Sequence, residues 1–194
     1  MASYSRSVFV LTIFLAGVIM AAKAGRTSPA QPSHTIVKAC STAQYKDFCI
    51  GSLSSAPGAL KADMKQLAVI AVKLSLKEAQ DVSGYVVNMK KADQSSSGGL
   101  KDCVELFKDT VSELHDSLSR LKGIKKKKGS DVEDAVFDAR AWLSAADTNV
   151  DTCFDGLSAH PDISRHLHTR SLYLSKLMSD ALAVTHKLAD KDDP

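Results

Sequence analysis

The sequence of residues 100–121 is LKDCVELFKDTVSELHDSLSRL, in which apolar side chains recur every three or four residues. The members of this apolar stripe are Leu100, Cys103, Val104, Phe107, Val111, Leu114, Leu118 and Leu121. With 3.6 residues per turn, all eight lie on one face of a helix. Gly123 follows the stripe, so we expect the helix to end there. The stretch predicts an amphipathic helix that buries its apolar face against other helices.

Three further stretches show the same periodicity. The first extends from about residue 60 to residue 91, and its apolar face is marked by Met64, Leu67, Ala71, Leu74, Glu78 and Val82. The second follows Ser130, which we predict to be an N-cap because Glu133 completes a capping box. The third follows Pro161-Asp162. Four amphipathic helices with short connections predict an all-α fold, an antiparallel four-helix bundle.

The N-terminal segment is typical of a secretory signal. Arg6 precedes an apolar run over residues 8–20, and Ala22-Lys23-Ala24 has small residues at the positions that a signal peptidase recognises. We therefore predict a signal peptide over residues 1–24, a flexible leader over residues 25–33 and one folded domain over residues 34–190. Because the apolar run is too short to span a bilayer comfortably, we expect an exported, soluble protein.

Four cysteines occur, at Cys40, Cys49, Cys103 and Cys153. An even number in an exported protein favours two disulfides over reactive thiols or a zinc site. In an antiparallel pair of the second and third long helices, Cys103 lies roughly 29 Å and Cys153 roughly 33 Å from the connection. The two are nearly level on apolar stripes, which predicts a Cys103–Cys153 bond. Cys40 then pairs with Cys49 across a short helical hairpin that precedes the bundle.

Composition and motifs argue against several classes of function. The chain has 25 basic and 22 acidic residues, and removal of Arg6 and Lys23 with the signal leaves it nearly neutral. A general attraction to nucleic acid or to an anionic membrane is not expected. No Gly-x-Ser-x-Gly, phosphate-loop, dinucleotide-binding or His-Glu-x-x-His motif occurs. His166 and His168 are two residues apart and point in different directions on a helix. We predict a protein that is not an enzyme and binds no metal or cofactor.

Polar stripes on two helices favour a binding surface. One contains Glu105, Asp109, Ser112 and Asp116, and the other contains Asp147, Asp151 and Asp155. Like charges at helical spacing destabilise a helix by a few tenths of a kcal/mol per pair, so two such stripes suggest a function. The alternative is an ordinary solvated face, and Asp147 also fits the edge of the core.

A dense basic run occupies Lys125–Lys128. This run is expected either to be a solvated loop at the end of the bundle or to contact an acidic polysaccharide.

Four segments go beyond periodicity: Cys40-Ser-Thr-Ala-Gln-Tyr-Lys-Asp-Phe-Cys49 with Ile50-Gly-Ser-Leu53, Leu100-Lys-Asp-Cys-Val-Glu-Leu-Phe-Lys-Asp109 with Val111-Ser-Glu-Leu114, Trp142-Leu-Ser-Ala-Ala-Asp-Thr-Asn-Val-Asp-Thr-Cys153, and Ser179-Asp-Ala-Leu-Ala183. In this order they resemble the motifs of the plant invertase and pectin methylesterase inhibitor family. The resemblance covers the whole chain after the signal segment and implies the same disulfide pairing and hairpin. It also implies an extracellular protein of the apoplast and cell wall.

The resemblance implies a partner and a binding face. The protein would bind one pectin methylesterase molecule, cover its pectin-binding cleft and so control de-esterification of cell-wall pectin. Glu105, Asp109 and Asp155 stand at matching acidic positions, and Thr152 matches a threonine beside the fourth cysteine. Ser112 stands where the pectin methylesterase inhibitors of the family, its methylesterase branch, have an acidic residue, and Glu113 is a neighbouring substitute. Asp147 stands where leucine is usual in that branch.

Two alternative functions remain open. One is inhibition of cell-wall or vacuolar invertase, but the Pro-Lys-Phe tripeptide of that branch does not occur in this sequence. The Trp142 to Cys153 segment also favours the methylesterase branch. The other is a secreted bundle without inhibitory activity whose partner is a receptor or a component of the wall.

Overall fold

The computed structural model describes residues 31–92, 98–124, 129–158 and 161–190. Within these ranges the chain forms α-helices and one 3-10 turn (Ala59–Lys61), and no strand. The α-helices are α1 (His34–Ala39), α2 (Lys46–Ser55), α3 (Met64–Ala92), α4 (Gly98–Gly123), α5 (Ser130–Gly156) and α6 (Pro161–Lys187). The predicted signal segment, residues 25–30 of the predicted leader and Lys125–Lys128 lie outside the described residues.

The four long helices form the predicted bundle. Neighbours in the chain pack side by side from α3 to α6, and α6 also packs against α3. The α4/α5 pair therefore lies on the opposite side of the bundle from the α3/α6 pair. Phe107, Leu114, Leu143 and Leu174 are fully buried between the helices. Burial of one such side chain stabilises the fold by about 1.5–3 kcal/mol, so the core is the main source of stability.

Helices α1 and α2 form the predicted hairpin at the N-terminus. The Ser33 hydroxyl accepts a hydrogen bond of 3.3 Å from the Ile36 backbone N–H and so caps α1. A Cys40–Cys49 disulfide joins the hairpin, with 5.8 Å between the Cα atoms. Both sulfur-bearing residues are fully buried, as is Leu53 of α2. The hairpin therefore extends the hydrophobic core rather than standing apart from it.

Helix α3 begins at Met64 and not near residue 60 as predicted. The cause is a capping box: the Gln66 backbone N–H donates to Asp63 Oδ1 at 2.8 Å, and the Asp63 N–H donates to Gln66 Oε1 at 2.9 Å. Four of the six residues predicted to mark the apolar face, Met64, Leu67, Ala71 and Val82, are buried. Leu74 and Glu78 are only half-buried, whereas the residues that follow them, Ser75 and Ala79, are fully buried. The predicted face is therefore correct at both ends and shifted by one position over residues 74–79.

Helix α5 differs from the prediction at its start. Ser130 is the first helical residue, and Gly129 is the N-cap with a φ of 114°. The Gly129 carbonyl accepts hydrogen bonds from the N–H groups of Val132 at 2.9 Å and Glu133 at 3.3 Å. Glycine adopts this positive φ without a steric penalty from Cβ, so the turn takes place at Gly129 and leaves Ser130 inside the helix. At the other boundary, α4 ends at Gly123 as predicted.

Candidate partner-binding surface on helices α4 and α5

Helices α4 and α5 are joined along most of their length. The predicted Cys103–Cys153 disulfide is present, with 4.7 Å between the Cα atoms. Further along, Thr110 Oγ1 lies 3.4 Å from the Ala146 carbonyl oxygen, and Arg120 Nε donates to Asp138 Oδ2 at 2.8 Å. These contacts fix the antiparallel register from one end of the pair to the other.

The backbones of the two helices meet beside the disulfide. A Cβ atom added at Gly99 would lie 2.7 Å from the carbonyl oxygen of Gly156. Contacts of that length do not occur for real Cβ atoms, so the start of α4 approaches the end of α5 this closely because Gly99 has no side chain. The outer surface of α4 and α5 is therefore formed by two helices whose backbones are in close contact at this end.

Five of the six predicted partner-binding residues are exposed on this helix pair. Glu105, Asp109 and Ser112 project from α4, and Thr152 and Asp155 project from α5. Because Cys103 is level with Cys153, Thr152 lies at about the height of Glu105, and Asp155 lies about one turn further along. The register therefore brings residues 40 to 50 positions apart in the chain to neighbouring heights on one side of the bundle.

Thr152 already uses its proton within its own helix. Its Oγ1 donates to the Thr148 carbonyl at 2.7 Å. A threonine hydroxyl has one proton and two lone pairs, so the exposed oxygen of Thr152 remains an acceptor for an N–H group of a partner. Glu105 forms a loose ion pair with Lys108, whose Nζ lies 3.8 Å from Glu105 Oε2. That pair is exposed to solvent and adds little stability.

Glu113, the sixth predicted residue, is half-buried in the seam between the helices. Asn149 Nδ2 donates to Glu113 Oε2 at 2.9 Å. Burial raises the pKa of Glu113, and the nearby carboxylates of Asp109 and Asp116 raise it further, whereas the hydrogen bond from Asn149 lowers it. Glu113 is thus committed to an internal contact, and the neighbouring Ser112 is the residue that is exposed.

Asp147 lies on the other side of α5, at the edge of the core facing α6. The side chain is half-buried. Burial is the main cause that raises its pKa, the Asp151 carboxylate adds to the shift, and a hydrogen bond with Ser175 of α6 opposes it. Asp147 therefore belongs to the α5/α6 seam, whereas Asp151 and Asp155 are exposed.

The structure adds an apolar residue that the sequence analysis missed. Phe137 on α5 is 74% exposed. It precedes Asp155 by eighteen residues, which is five helical turns, so the two side chains share one face about 27 Å apart. The signal was present in the sequence, because position 137 falls outside the apolar stripe of its helix. Large exposed aromatics are typical anchors of protein interfaces.

The surface is strongly acidic. Helices α4 and α5 contain twelve Asp and Glu residues against five Lys and Arg residues. In the described parts of the chain, no group of three or more His, Cys, Asp or Glu side chains is arranged to hold a metal ion. Among the same residues, no helix has the length and apolar character needed to cross a membrane. Nine of the twelve acidic side chains are exposed, whereas Glu113, Asp138 and Asp147 are half-buried.

One disulfide joins α1 to α2 in the N-terminal hairpin, and the other joins α4 to α5 in the bundle. The chain is therefore a disulfide-linked, all-helical domain with an acidic face on two helices. The chain belongs to the plant invertase/pectin methylesterase inhibitor family, whose model matches residues 34–184. This confirms the resemblance seen in the sequence motifs.

Two solved structures of pectin methylesterase inhibitors from Arabidopsis share the fold. One, a mutant form, has a TM-score of 0.61 and 16% identity over 76% of this chain and 92% of its own. The other has a TM-score of 0.57 and 15% identity over 83% of this chain and 100% of its own.

Similar proteins include some that are named pectinesterase inhibitors and some that are named pectinesterases. Pectinesterase inhibitor 10 of Arabidopsis thaliana is 34% identical over 81% of this chain, which spans about half (52%) of its length. Pectinesterase 1 of Citrus sinensis is 30% identical over 84% of this chain, which spans 29% of its length. Pectinesterase inhibitor 3 of Arabidopsis thaliana is 30% identical over 95% of this chain and 93% of its own length. Similarity to this last relative thus extends over nearly the whole of both chains.

Proposed function

We propose that this protein inhibits pectin methylesterase by binding the enzyme and covering its pectin-binding cleft. The observation that carries the proposal is the exposed acidic face of α4 and α5 in a member of this inhibitor family. The names of similar proteins, Pectinesterase inhibitor 3 and Pectinesterase inhibitor 10, support the same target. On this proposal the protein is a binding partner and not an enzyme, it uses no cofactor, and one inhibitor occupies one enzyme molecule.

The binding residues are Glu105, Asp109, Ser112, Thr152 and Asp155, with Glu113 as a support beneath them. Acidic side chains on this face attract a cationic rim on the enzyme and raise the association rate. Thr152 accepts a hydrogen bond near the centre of the contact. Phe137 supplies an apolar anchor at the far end of α5, where burial of an aromatic ring contributes affinity that exposed charges do not.

The site of action is the apoplast and the cell wall. Support comes from the signal-like segment over residues 1–24 and from the four cysteines, which are paired as expected for an oxidising compartment. The basic run Lys125–Lys128 gives a further weak contact with acidic pectin. Changing these four lysines to serine should reduce salt-dependent binding to polygalacturonate. Unchanged binding would remove this contact from the proposal.

The deciding experiment titrates the oxidised protein against a pectin methylesterase and, in parallel, an acid invertase. Loss of esterase activity alone near one equivalent is the expected result. Loss of invertase activity alone would move the protein to the other branch of the family, although the sequence lacks the Pro-Lys-Phe tripeptide of that branch. Loss of neither activity would favour a secreted binding bundle without inhibitory function.

Substitutions on the face test where the enzyme binds. Thr152→Ala and Asp155→Ala should weaken inhibition without changing helicity, because both side chains are exposed. Phe137→Ala should weaken the complex by about 2 kcal/mol, roughly thirtyfold in Kd. Leu172→Ala is the matched control, since Leu172 is also an exposed apolar residue, 50% accessible, but lies on α6. Equal effects of Phe137→Ala and Leu172→Ala would place the contact elsewhere.

A further inference from the structure

The charge of the bundle is segregated between its two sides. Helices α3 and α6 contain nine Lys and Arg residues against four Asp and Glu residues, the reverse of the acidic α4/α5 pair. Because these pairs form opposite sides of the bundle, a partner on α4 and α5 leaves α3 and α6 uncovered. The small net charge of the whole chain, +3, therefore conceals an acidic side and a basic side of the bundle.

Aromatic rings and cations alternate on the basic side. This aromatic–basic surface consists of Tyr45, Phe48, Tyr85, Arg170, Tyr173 and Lys176. Phe48 and Tyr173 pack edge to face, with ring centroids 5.5 Å apart. Lys176 Nζ lies 5.1 Å from the centroid of Tyr45 and 5.8 Å from that of Phe48, and Arg170 Cζ lies 4.9 Å from that of Tyr85. Rings at and just before the start of α2 and on α3 thus meet cations from α6.

Neither cation of this surface forms a close ion pair, although the Glu78 carboxylate lies near enough to Arg170 to attract it. Arg170 and Lys176 form no ion pair with a carboxylate in the described part of the chain, whereas the neighbouring Lys77 is paired with Asp81 at 2.7 Å. A cation held over a ring keeps its full charge, because the ring contributes only a quadrupole. Arg170 and Lys176 therefore remain available to an external anion.

The aromatic–basic surface is partly open to solvent, because Tyr45, Arg170 and Tyr173 are exposed and Phe48, Tyr85 and Lys176 are half-buried. Tyr45 is 38% and Tyr173 is 44% exposed, and Leu172 lies exposed beside Tyr173 in the sequence. An exposed apolar cluster of this kind marks a contact site in a protein that keeps most large apolar side chains inside. Stabilisation of the hairpin accounts for the ring contacts but not for the unpaired charges that accompany them.

We propose that the aromatic–basic surface binds an acidic polysaccharide through its uronate carboxylates. Aromatic rings pack against the apolar C–H faces of sugar rings, and arginine forms two parallel hydrogen bonds to a carboxylate. A polymer of uronic acid presents both groups at every residue. The choice of de-esterified pectin as this polymer rests on the proposed function, which places the protein beside the substrate of a pectin methylesterase.

This arrangement gives the inhibitor two separate contacts. Each ester that the enzyme hydrolyses adds one carboxylate to the polymer, so the surface binds hydrolysed regions more tightly than esterified ones. The acidic face on α4 and α5 stays free to engage the enzyme at the same time. The inhibitor is thereby retained where the product of the reaction has accumulated, and its effective concentration towards enzyme molecules in that region rises.

The test measures binding of the full chain to polygalacturonate, to fully methyl-esterified pectin and to polyglutamate, without enzyme. We expect strong binding to polygalacturonate. Binding to fully methyl-esterified pectin and binding to polyglutamate should both be weaker than this. The double variant Arg170→Gln with Lys176→Gln should bind polygalacturonate about tenfold more weakly. The control Lys101→Gln with Lys108→Gln removes the same charge from α4 and should change binding less than twofold.

Two further measurements separate this proposal from its neighbours. Tyr173→Ser should weaken binding to polygalacturonate more than binding to polyglutamate, since only the sugar polymer stacks on the ring. An equal loss in the control variant, or equal affinity for esterified and free pectin, would overturn the proposal. Inhibition of the esterase is measured separately. A protein that inhibits but does not bind polygalacturonate refutes both this surface and the Lys125–Lys128 contact, and leaves the proposed inhibition standing. A protein whose binding depends on Arg170 and Lys176 but that does not inhibit refutes only the proposed inhibition.

Discussion

Replacing Asp180 with asparagine should remove much of the pH dependence of stability. Asp180 lies on α6 and is 2% exposed. Neither of its carboxylate oxygens has a hydrogen-bond partner within the described ranges. Burial without a partner disfavours the charged form and raises the pKa of Asp180 from 3.8 to about 7. The folded protein thus holds a proton at this site that the unfolded chain releases.

The magnitude follows from the two pKa values. Each pKa unit corresponds to about 1.4 kcal/mol, so a rise of about three units is about 4 kcal/mol. Because the folded pKa is the higher one, this contribution is fully present below the unfolded pKa near 3.8. It is lost progressively as the pH rises to about 7 and is absent above that value. An asparagine is neutral throughout, so the variant escapes this loss.

The assay is urea unfolding of both proteins at several pH values from 4 to 7.5. The variant should gain on the natural protein by up to about 4 kcal/mol between these limits. Glu78, Glu113 and Asp147 also have raised pKa values, but they act in both proteins and cancel in the difference. Asp102→Asn is the control, because Asp102 is exposed and does not contribute to the raised pKa values of Glu78, Glu113, Asp147 or Asp180. A difference between the natural protein and Asp180→Asn that stays constant with pH would refute the reasoning.

Three further predictions concern packing and cross-links. Gly99→Ala should lower stability by about 1–3 kcal/mol, because the new methyl group meets the Gly156 carbonyl, whereas Gly98→Ala meets nothing within 4 Å and should be neutral; thermal unfolding separates the two. Replacing both cysteines of the Cys103–Cys153 disulfide, which joins residues 50 apart, should lower the free energy of unfolding by about 4 kcal/mol. The same change at Cys40–Cys49, which joins residues nine apart, should lower it by about 3 kcal/mol. Equal shifts in the denaturant midpoint would contradict this explanation by chain entropy. Lys65→Met should cost about 1 kcal/mol in urea unfolding, since Lys65 Nζ donates to the Lys122 and Ile124 carbonyls at the end of α4; no change would show that solvent replaces this cap.

The fold was predictable because its determinants are local and repeated. Apolar spacing identified the four long helices, and helix heights then identified the partner of Cys103 in an antiparallel pair. Boundaries were less secure, because a single cap decides each one. The start of α3 depends on the reciprocal bonds of Asp63 and Gln66, and the start of α5 depends on the backbone of Gly129. The sequence contains these capping residues, but neighbouring residues such as Ser130 are equally suitable as N-caps.

The candidate surface was predictable in part. Exposure of Glu105, Asp109, Ser112, Thr152 and Asp155 follows from their positions opposite the apolar stripes. The assignment of Glu113 to the seam required knowing that Asn149 lies across from it, which depends on the exact rotation of two helices. The aromatic–basic surface was out of reach for the same reason: its rings and cations come from three helices far apart in the chain, and no local pattern brings them together.

The acidic face also explains why α4 and α5 are so firmly joined. Twelve acidic residues on two adjacent helices repel one another, and the Arg120–Asp138 pair offsets only a small part of that repulsion because both side chains are partly exposed. A binding face of this charge would tend to push the helices apart. The disulfide and the contact between Gly99 and the Gly156 carbonyl, both at the Asp155 end, oppose that tendency. Under the proposed function, rigid placement of the charged side chains reduces the ordering cost of complex formation, so the cross-link would serve binding as well as stability.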